Sequence, residues 1–231
     1  HVVYGMDFFS FSLYYNNQKA KTPDYLYDDN PFNDVRYLFN KSVLFTHIPN
    51  ALAHIGTPDE DRTRDSMYLW QPPAMPGEAG LRAQVNLGAP IPVQHDTARG
   101  EEFVTLGLEH NLLPFIRAHR DTTFTIFFPP YSLLYWADQA AGGNLDTCIA
   151  QKNLMAQILL AEPNVELFDF QASFDWIENY DLYYDLIHYI SVVNDEMADL
   201  IARDVCRISD MAQIEQNNQA LLERVHALFP R

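Results

Sequence analysis

The chain has 231 residues, 48% of them hydrophobic and 13% aromatic, enough apolar material for a sizeable core, which excludes a disordered protein. Its formal charge of −16 excludes nucleic acid and anionic membrane surfaces as partners, because phosphate binding needs clustered Lys and Arg. No apolar run approaches a membrane span, and Cys148 and Cys206 show neither CxxC spacing nor a His/Cys cluster for zinc, so neither metal nor cofactor is expected.

In chain order, His1 leads straight into Val2–Phe9, an apolar run broken by Gly5 and Asp7. That is the pattern of a buried parallel strand ending in a functional loop. With no lead-in before the run, further sequence N-terminal to His1 is expected. Asn30–Pro31 signals a helix start, continued by Val35, Leu38 and Phe39, and a second helix is predicted over Ser42–His54, stopping at Gly56. Residues 57–100 are rich in Pro and charge and read as a long loop insertion, either a lid or a variable surface excursion. Helical periodicity returns over Glu101–His119, with Pro114 placed to kink it. Thr122–Phe128 reads as a strand closed by Pro129–Pro130–Tyr131. Helices follow over Ser132–Ala140 and Leu145–Ala161, then a strand over Val165–Phe170 and two closing helices, Ser191–Val205 and Ser209–Leu228.

Strands alternating with helices imply one α/β domain over 1–231, with a parallel sheet and helices on both faces. In such sheets ligands bind at the carboxyl ends of the strands. Asp7, the Pro129–Pro130–Tyr131 corner and the loop after Val165–Phe170 all follow strands and are expected to converge on one edge. In that last loop, Tyr183-Tyr184-Asp185-Leu186-Ile187-His188-Tyr189, Asp185 precedes His188 by three residues. A carboxylate so placed can fix the imidazole tautomer and steady the imidazolium while the ring works as a general base. The competing reading is that Asp185 caps a turn and His188 packs on aromatic neighbours.

Other groupings carry less. Asp28, Asp29, Asn30 and Asp34 could hold a divalent cation through oxygen ligands, but calcium-loop spacing is absent and helix capping explains them. His47, His54, His95, His110, His119 and His226 show no metal-ligand pairing. Tyr131, Trp136, Tyr183 and Tyr184 could line a sugar-binding groove or fill the core. Ser10 and Ser12 lack a nucleophile-elbow context, and Ser132 sits where a helix cap is expected.

Tyr25–Pro31, Phe128–Tyr131 and above all Tyr183–Tyr189 give the chain a resemblance to the SGNH (GDSL-like) hydrolases. More narrowly, it resembles the extracytoplasmic SGNH-like proteins associated with membrane-bound O-acyltransferases. The resemblance covers most of the chain outside the insertion. It implies a three-layer, flavodoxin-like α/β sandwich with a parallel central sheet. It also implies an ester hydrolase or acyltransferase acting on an acylated cell-envelope polysaccharide, or a small ester, outside the cytoplasm.

On the same resemblance, Asp185 and His188 match the family's histidine block, while Gly5 and Asp7 fall on its Gly-x-Asn-Asp block. Asp7 replaces an Asn that would donate to an oxyanion, whereas an ionised Asp only accepts. Pro130, Tyr131 and Tyr184 belong to the implied substrate region. The blocks with the nucleophilic Ser and the oxyanion Gly are expected upstream of Val2. The alternative is a non-catalytic SGNH-fold module that binds or scaffolds beside a membrane-bound O-acyltransferase.

Overall fold

The computed structural model describes residues 1–7, 11, 15, 23–53, 55, 75–85 and 97–228. The chain divides into two compact units, one comprising 1–15 with 72–231 and the other 16–71.

The larger unit opens with β1 (Val2–Gly5). In the smaller unit, a single 3-10 turn at Asp24–Leu26 precedes α1 (Val35–Leu38) and a π-type turn at Val43–His47, which runs on into α2 (Ile48–Ala53). Pro49 has no N–H to donate into this ladder, and a local shift to wider hydrogen bonding sits beside it. The helix start expected at Asn30–Pro31 begins later, at Val35. Asp28 accepts hydrogen bonds from the Asn30 N–H at 2.8 Å and from Asn33 Nδ2 at 2.7 Å, which makes the segment a side-chain-capped turn.

Back in the larger unit, α3 (Gly77–Arg82) lies within the predicted insertion, of which 57–74 and 86–96 fall outside the described residues. The expected helix over Glu101–His119 is two helices, α4 (Thr97–Asn111) and α5 (Leu113–Ala118), because Pro114 fits the first turn of a new helix and not the interior of an old one. Then come β2 (Phe124–Phe128), α6 (Leu133–Ala141), α7 (Leu145–Leu160), β3 (Val165–Asp169), α8 (Phe174–Ile177), α9 (Ser191–Ala202), β4 (Arg207–Ile208) and α10 (Met211–Leu228).

The strands form one sheet in the order β1-β2-β3-β4. β1, β2 and β3 run parallel, with Val2 opposite Phe124 and Phe124 opposite Val165. The fourth strand corrects the expectation of a wholly parallel sheet: β4 pairs antiparallel to β3, with Leu167 opposite Ile208. It follows α9 through Asp204 and Cys206, both left-handed (φ 59° and 66°), a conformation that breaks the helix just ahead of the strand. The protein is therefore α/β with a mixed sheet.

Alternation along the strands sorts the core onto two faces. Phe124, Ile126, Phe128 and Leu167 pack in a cluster with Val104 and Leu108 of α4, Met155 and Leu159 of α7, and Leu221 and Val225 of α10. Phe168 and Phe170 pack instead with Val193 and Met197 of α9. Each such side chain, fully buried, contributes about 1.5–3 kcal/mol of transfer free energy. β1 is different. It forms one edge, and Val2, Val3 and Tyr4 are 41%, 60% and 38% exposed.

Candidate active site

The carboxyl ends of β1 and β2 bring the predicted residues together through three side-chain tethers. Asp7, two residues past β1, accepts a hydrogen bond from the Tyr131 hydroxyl. Tyr183 donates its hydroxyl to the Pro130 carbonyl at 2.7 Å. Ser132 donates its hydroxyl to the Leu186 carbonyl, also at 2.7 Å, and its own N–H donates to the same oxygen at 3.1 Å. The Pro129–Ser132 corner thus holds Asp7 on one side and the 183–189 loop on the other.

Within that loop, the Tyr184 N–H donates to the His188 carbonyl at 2.8 Å and closes a short hairpin, flanked by a bridge between Tyr183 and Tyr189. Asp185 folds over the turn: its Oδ1 accepts from the N–H groups of Ile187 (2.9 Å) and His188 (2.7 Å). Its Oδ2 accepts from His188 Nδ1 at 2.6 Å. The side-chain contact expected from the i, i+3 spacing is present. An ionised carboxylate only accepts, so the ring proton belongs on Nδ1, which leaves Nε2 to take or give a proton. Burial pushes the Asp185 carboxyl up, but the two backbone N–H groups and the His188 ring outweigh it and hold it below the ordinary range. The pair is accessible, with the His188 side chain 48% and the Asp185 side chain 35% exposed.

The charge on Asp7 is felt across a tyrosine cluster. Burial first, then Asp7, raises Tyr131 far above the usual phenol value; the same two causes raise Tyr189, the neighbour of His188. Tyr135 is raised by burial, with Cys148, Asp138 and Asp7 as lesser causes. All three phenols stay neutral, and Tyr131 stacks edge-on against Tyr135 at 4.8 Å.

The remaining candidates fall into place one by one. Gly5 serves packing: a Cβ there would come within 3.0 Å of the Phe127 ring on the neighbouring strand. Pro130 contributes its carbonyl, and Tyr184 its backbone N–H, while its side chain is half-buried. Tyr131, Trp136 and Tyr183 are at most 1% exposed, so they belong to the core and line no open sugar groove. Ser132 is 0% exposed and caps α6 by accepting the Tyr135 N–H at 3.3 Å, as its position predicts. Ser10 and Ser12 lie outside the described residues, as do His54 and His95. His47, His110, His119 and His226 are exposed, and among the described residues no group of three His, Cys, Asp or Glu could hold a metal ion.

Sequence reasoning did not find the hydroxyl tethers of Ser132 and Tyr183. Their partners lie 54 and 53 residues away, and a serine at a helix start signals only its local cap. A separate cavity of about 270 Å³, lined by Asp169, Ser173, Cys206, Arg207, Gln213 and Asn217, opens at the carboxyl end of β3. Comparison with protein-family models, curated proteins and solved structures finds no match.

Proposed function

We propose that the chain is an SGNH-type domain of an enzyme that handles acyl esters, with the three-layer flavodoxin-like arrangement of that fold. The observation that supports this reading is the Asp185–His188 contact of 2.6 Å, on a solvent-accessible loop over the carboxyl ends of parallel strands. In the mechanism, a serine from the block that the resemblance places upstream of Val2 attacks the acyl carbonyl. His188 Nε2 takes the serine proton and returns it to the leaving alcohol, and Asp185 holds the ring and stabilises the imidazolium. Water or a polysaccharide hydroxyl then accepts the acyl group, giving hydrolysis or transfer. Acylated cell-envelope polysaccharide is the substrate class and a membrane-bound O-acyltransferase the partner, both outside the cytoplasm, on the strength of the resemblance. Among the described residues no helix is long and apolar enough to cross a membrane.

A second reading is favoured by one observation. Asp7 stands at the position where an oxyanion donor is wanted, and its carboxylate is already engaged with Tyr131. A carboxylate repels a developing oxyanion, so this geometry also suits a binding or scaffold module that keeps the fold without the chemistry. The deciding experiment compares ester hydrolysis and acyl transfer by residues 1–231 with the same chain extended by any sequence that precedes His1 in the natural protein. The enzyme reading expects turnover in the extended chain only, lost by two or more orders of magnitude in His188→Ala. Turnover that survives His188→Ala refutes it, and an inactive extended chain supports the scaffold.

A further inference from the structure

We propose that Ser132 is a positioning residue, whose hydroxyl sets the Asp185–His188 pair by gripping the carbonyl of Leu186 between them. The inference rests on reading that pair as the acid–base unit, and it assigns Ser132 a role other than nucleophile.

The geometry is specific. A Ser hydroxyl has one proton to give, and here that proton goes to the Leu186 carbonyl at 2.7 Å. The lone pairs of the same oxygen face the Tyr135 N–H at 3.3 Å, so the hydroxyl joins the start of α6 to the loop. With a side chain 0% exposed, Ser132 has no path to a substrate carbonyl, which argues against nucleophilic attack. Leu186 follows Asp185 directly, and the carboxylate of Asp185 folds forward over the next two N–H groups. Fixing the Leu186 peptide therefore fixes the plane of the turn in which Asp185 Oδ1 finds both N–H groups and Oδ2 finds the ring.

Tyr183 clamps the start of the loop to Pro130, and the Ser132 backbone N–H adds a second donor to Leu186. Without the Ser132 hydroxyl, the loop stays attached through these bonds, the Ile190 N–H to Leu182 carbonyl bond and the packing of Leu186 and Tyr189. The Leu186 peptide nevertheless loses the stronger of its two donors and with it the restraint on its plane. A shift of about 1 Å in a catalytic base costs on the order of 10²-fold in rate, so small rotations matter.

The test uses residues 1–231 and reads the imidazole directly. A His188 ring held with its proton on Nδ1 by a carboxylate at 2.6 Å shows a single-tautomer pattern of ring 15N resonances in NMR, read through the carbon-bound ring protons, which do not exchange with water. Ser132→Thr keeps hydroxyl and cap and should retain that pattern. Ser132→Gly keeps the backbone N–H and most of the cap, and Ser132→Ala keeps the N–H alone. Both should shift toward tautomer averaging while circular dichroism shows the fold retained. A pattern unchanged in folded Ser132→Gly and Ser132→Ala overturns the proposal and leaves Ser132 as a helix cap. If neither variant folds, Ser132→Cys, a weaker donor of similar shape, decides: averaging supports the proposal and an unchanged pattern overturns it. Absence of the single-tautomer pattern in the wild-type protein overturns the acid–base reading itself, a different failure.

Discussion

Lys152 sits in the middle of α7 with its side chain 1% exposed, and its ammonium donates to Asp169 Oδ2 at 2.8 Å, where the carboxylate side chain is 0% exposed. Asn217 Nδ2 at 2.9 Å and the Gln171 N–H at 3.1 Å complete the shell of Asp169. Burial disfavours the ammonium more strongly than Asp169 favours it, so the Lys152 pKa is lowered despite the pairing. Desolvation and attraction nearly cancel in such a pair, and the large cost comes from breaking it one-sidedly. Lys152→Met keeps the stem volume and removes the charge, leaving Asp169 ionised in the core with two neutral donors. The expected loss is about 3–5 kcal/mol, or about 6–20 °C in Tm for a domain of this size. Adding Asp169→Asn removes the stranded charge and keeps an acceptor, so the double variant should be more stable than Lys152→Met alone. Urea titrations followed by circular dichroism give all four corners of the cycle. A loss below about 1 kcal/mol for Lys152→Met, or strictly additive losses in the double variant, would refute this account.

Asp185 has a lowered carboxyl pKa, so its contribution to stability is present above the ordinary value of 3.8 and is lost as pH falls through the lowered value. Wild type should therefore exceed Asp185→Asn in Tm at neutral pH, and the gap should close on acidification; a gap that widens in acid contradicts the assignment. Tyr131, Tyr135, Tyr183 and Tyr189 all have raised pKa values, so their contribution is full below about pH 10 and lost above it. Four such groups make stability fall by about 5 kcal/mol per pH unit there, and tyrosinate absorbance from these four should appear only with unfolding. Cys148 is buried and its thiol is pushed up to about 11, whereas Cys206 is half-buried. A disulfide reagent should modify Cys206 in the native protein and reach Cys148 only on unfolding, as mass spectrometry of the labelled peptides would show.

The three parallel strands were legible because each is an apolar run bounded by turn residues, and the Asp185–His188 contact because i, i+3 spacing on a turn brings the side chains within reach. What escaped was non-local. β4 is two residues long, Arg207–Ile208, too short for any periodicity to register. Nothing local in the sequence marks Lys152 as buried, and the β3 carboxylate opposite it explains its burial. Ser132 looks the same as any cap until the Leu186 carbonyl arrives from 54 residues away. Asp7 was legible as a misfit to an oxyanion donor, but the tyrosine that takes up its charge was not.

The exposed edge of β1 carries a kinetic consequence. Among the described residues this strand pairs on one side only, with Val2, Val3 and Tyr4 exposed, so its amides are expected to exchange faster than those of β2 and β3. Asp7 rides on its end. Each detachment withdraws the carboxylate from Tyr131 and from the electrostatic surroundings of Tyr189, next door to His188. A strand added along that edge would make such openings rarer and keep Asp7 on Tyr131 for longer.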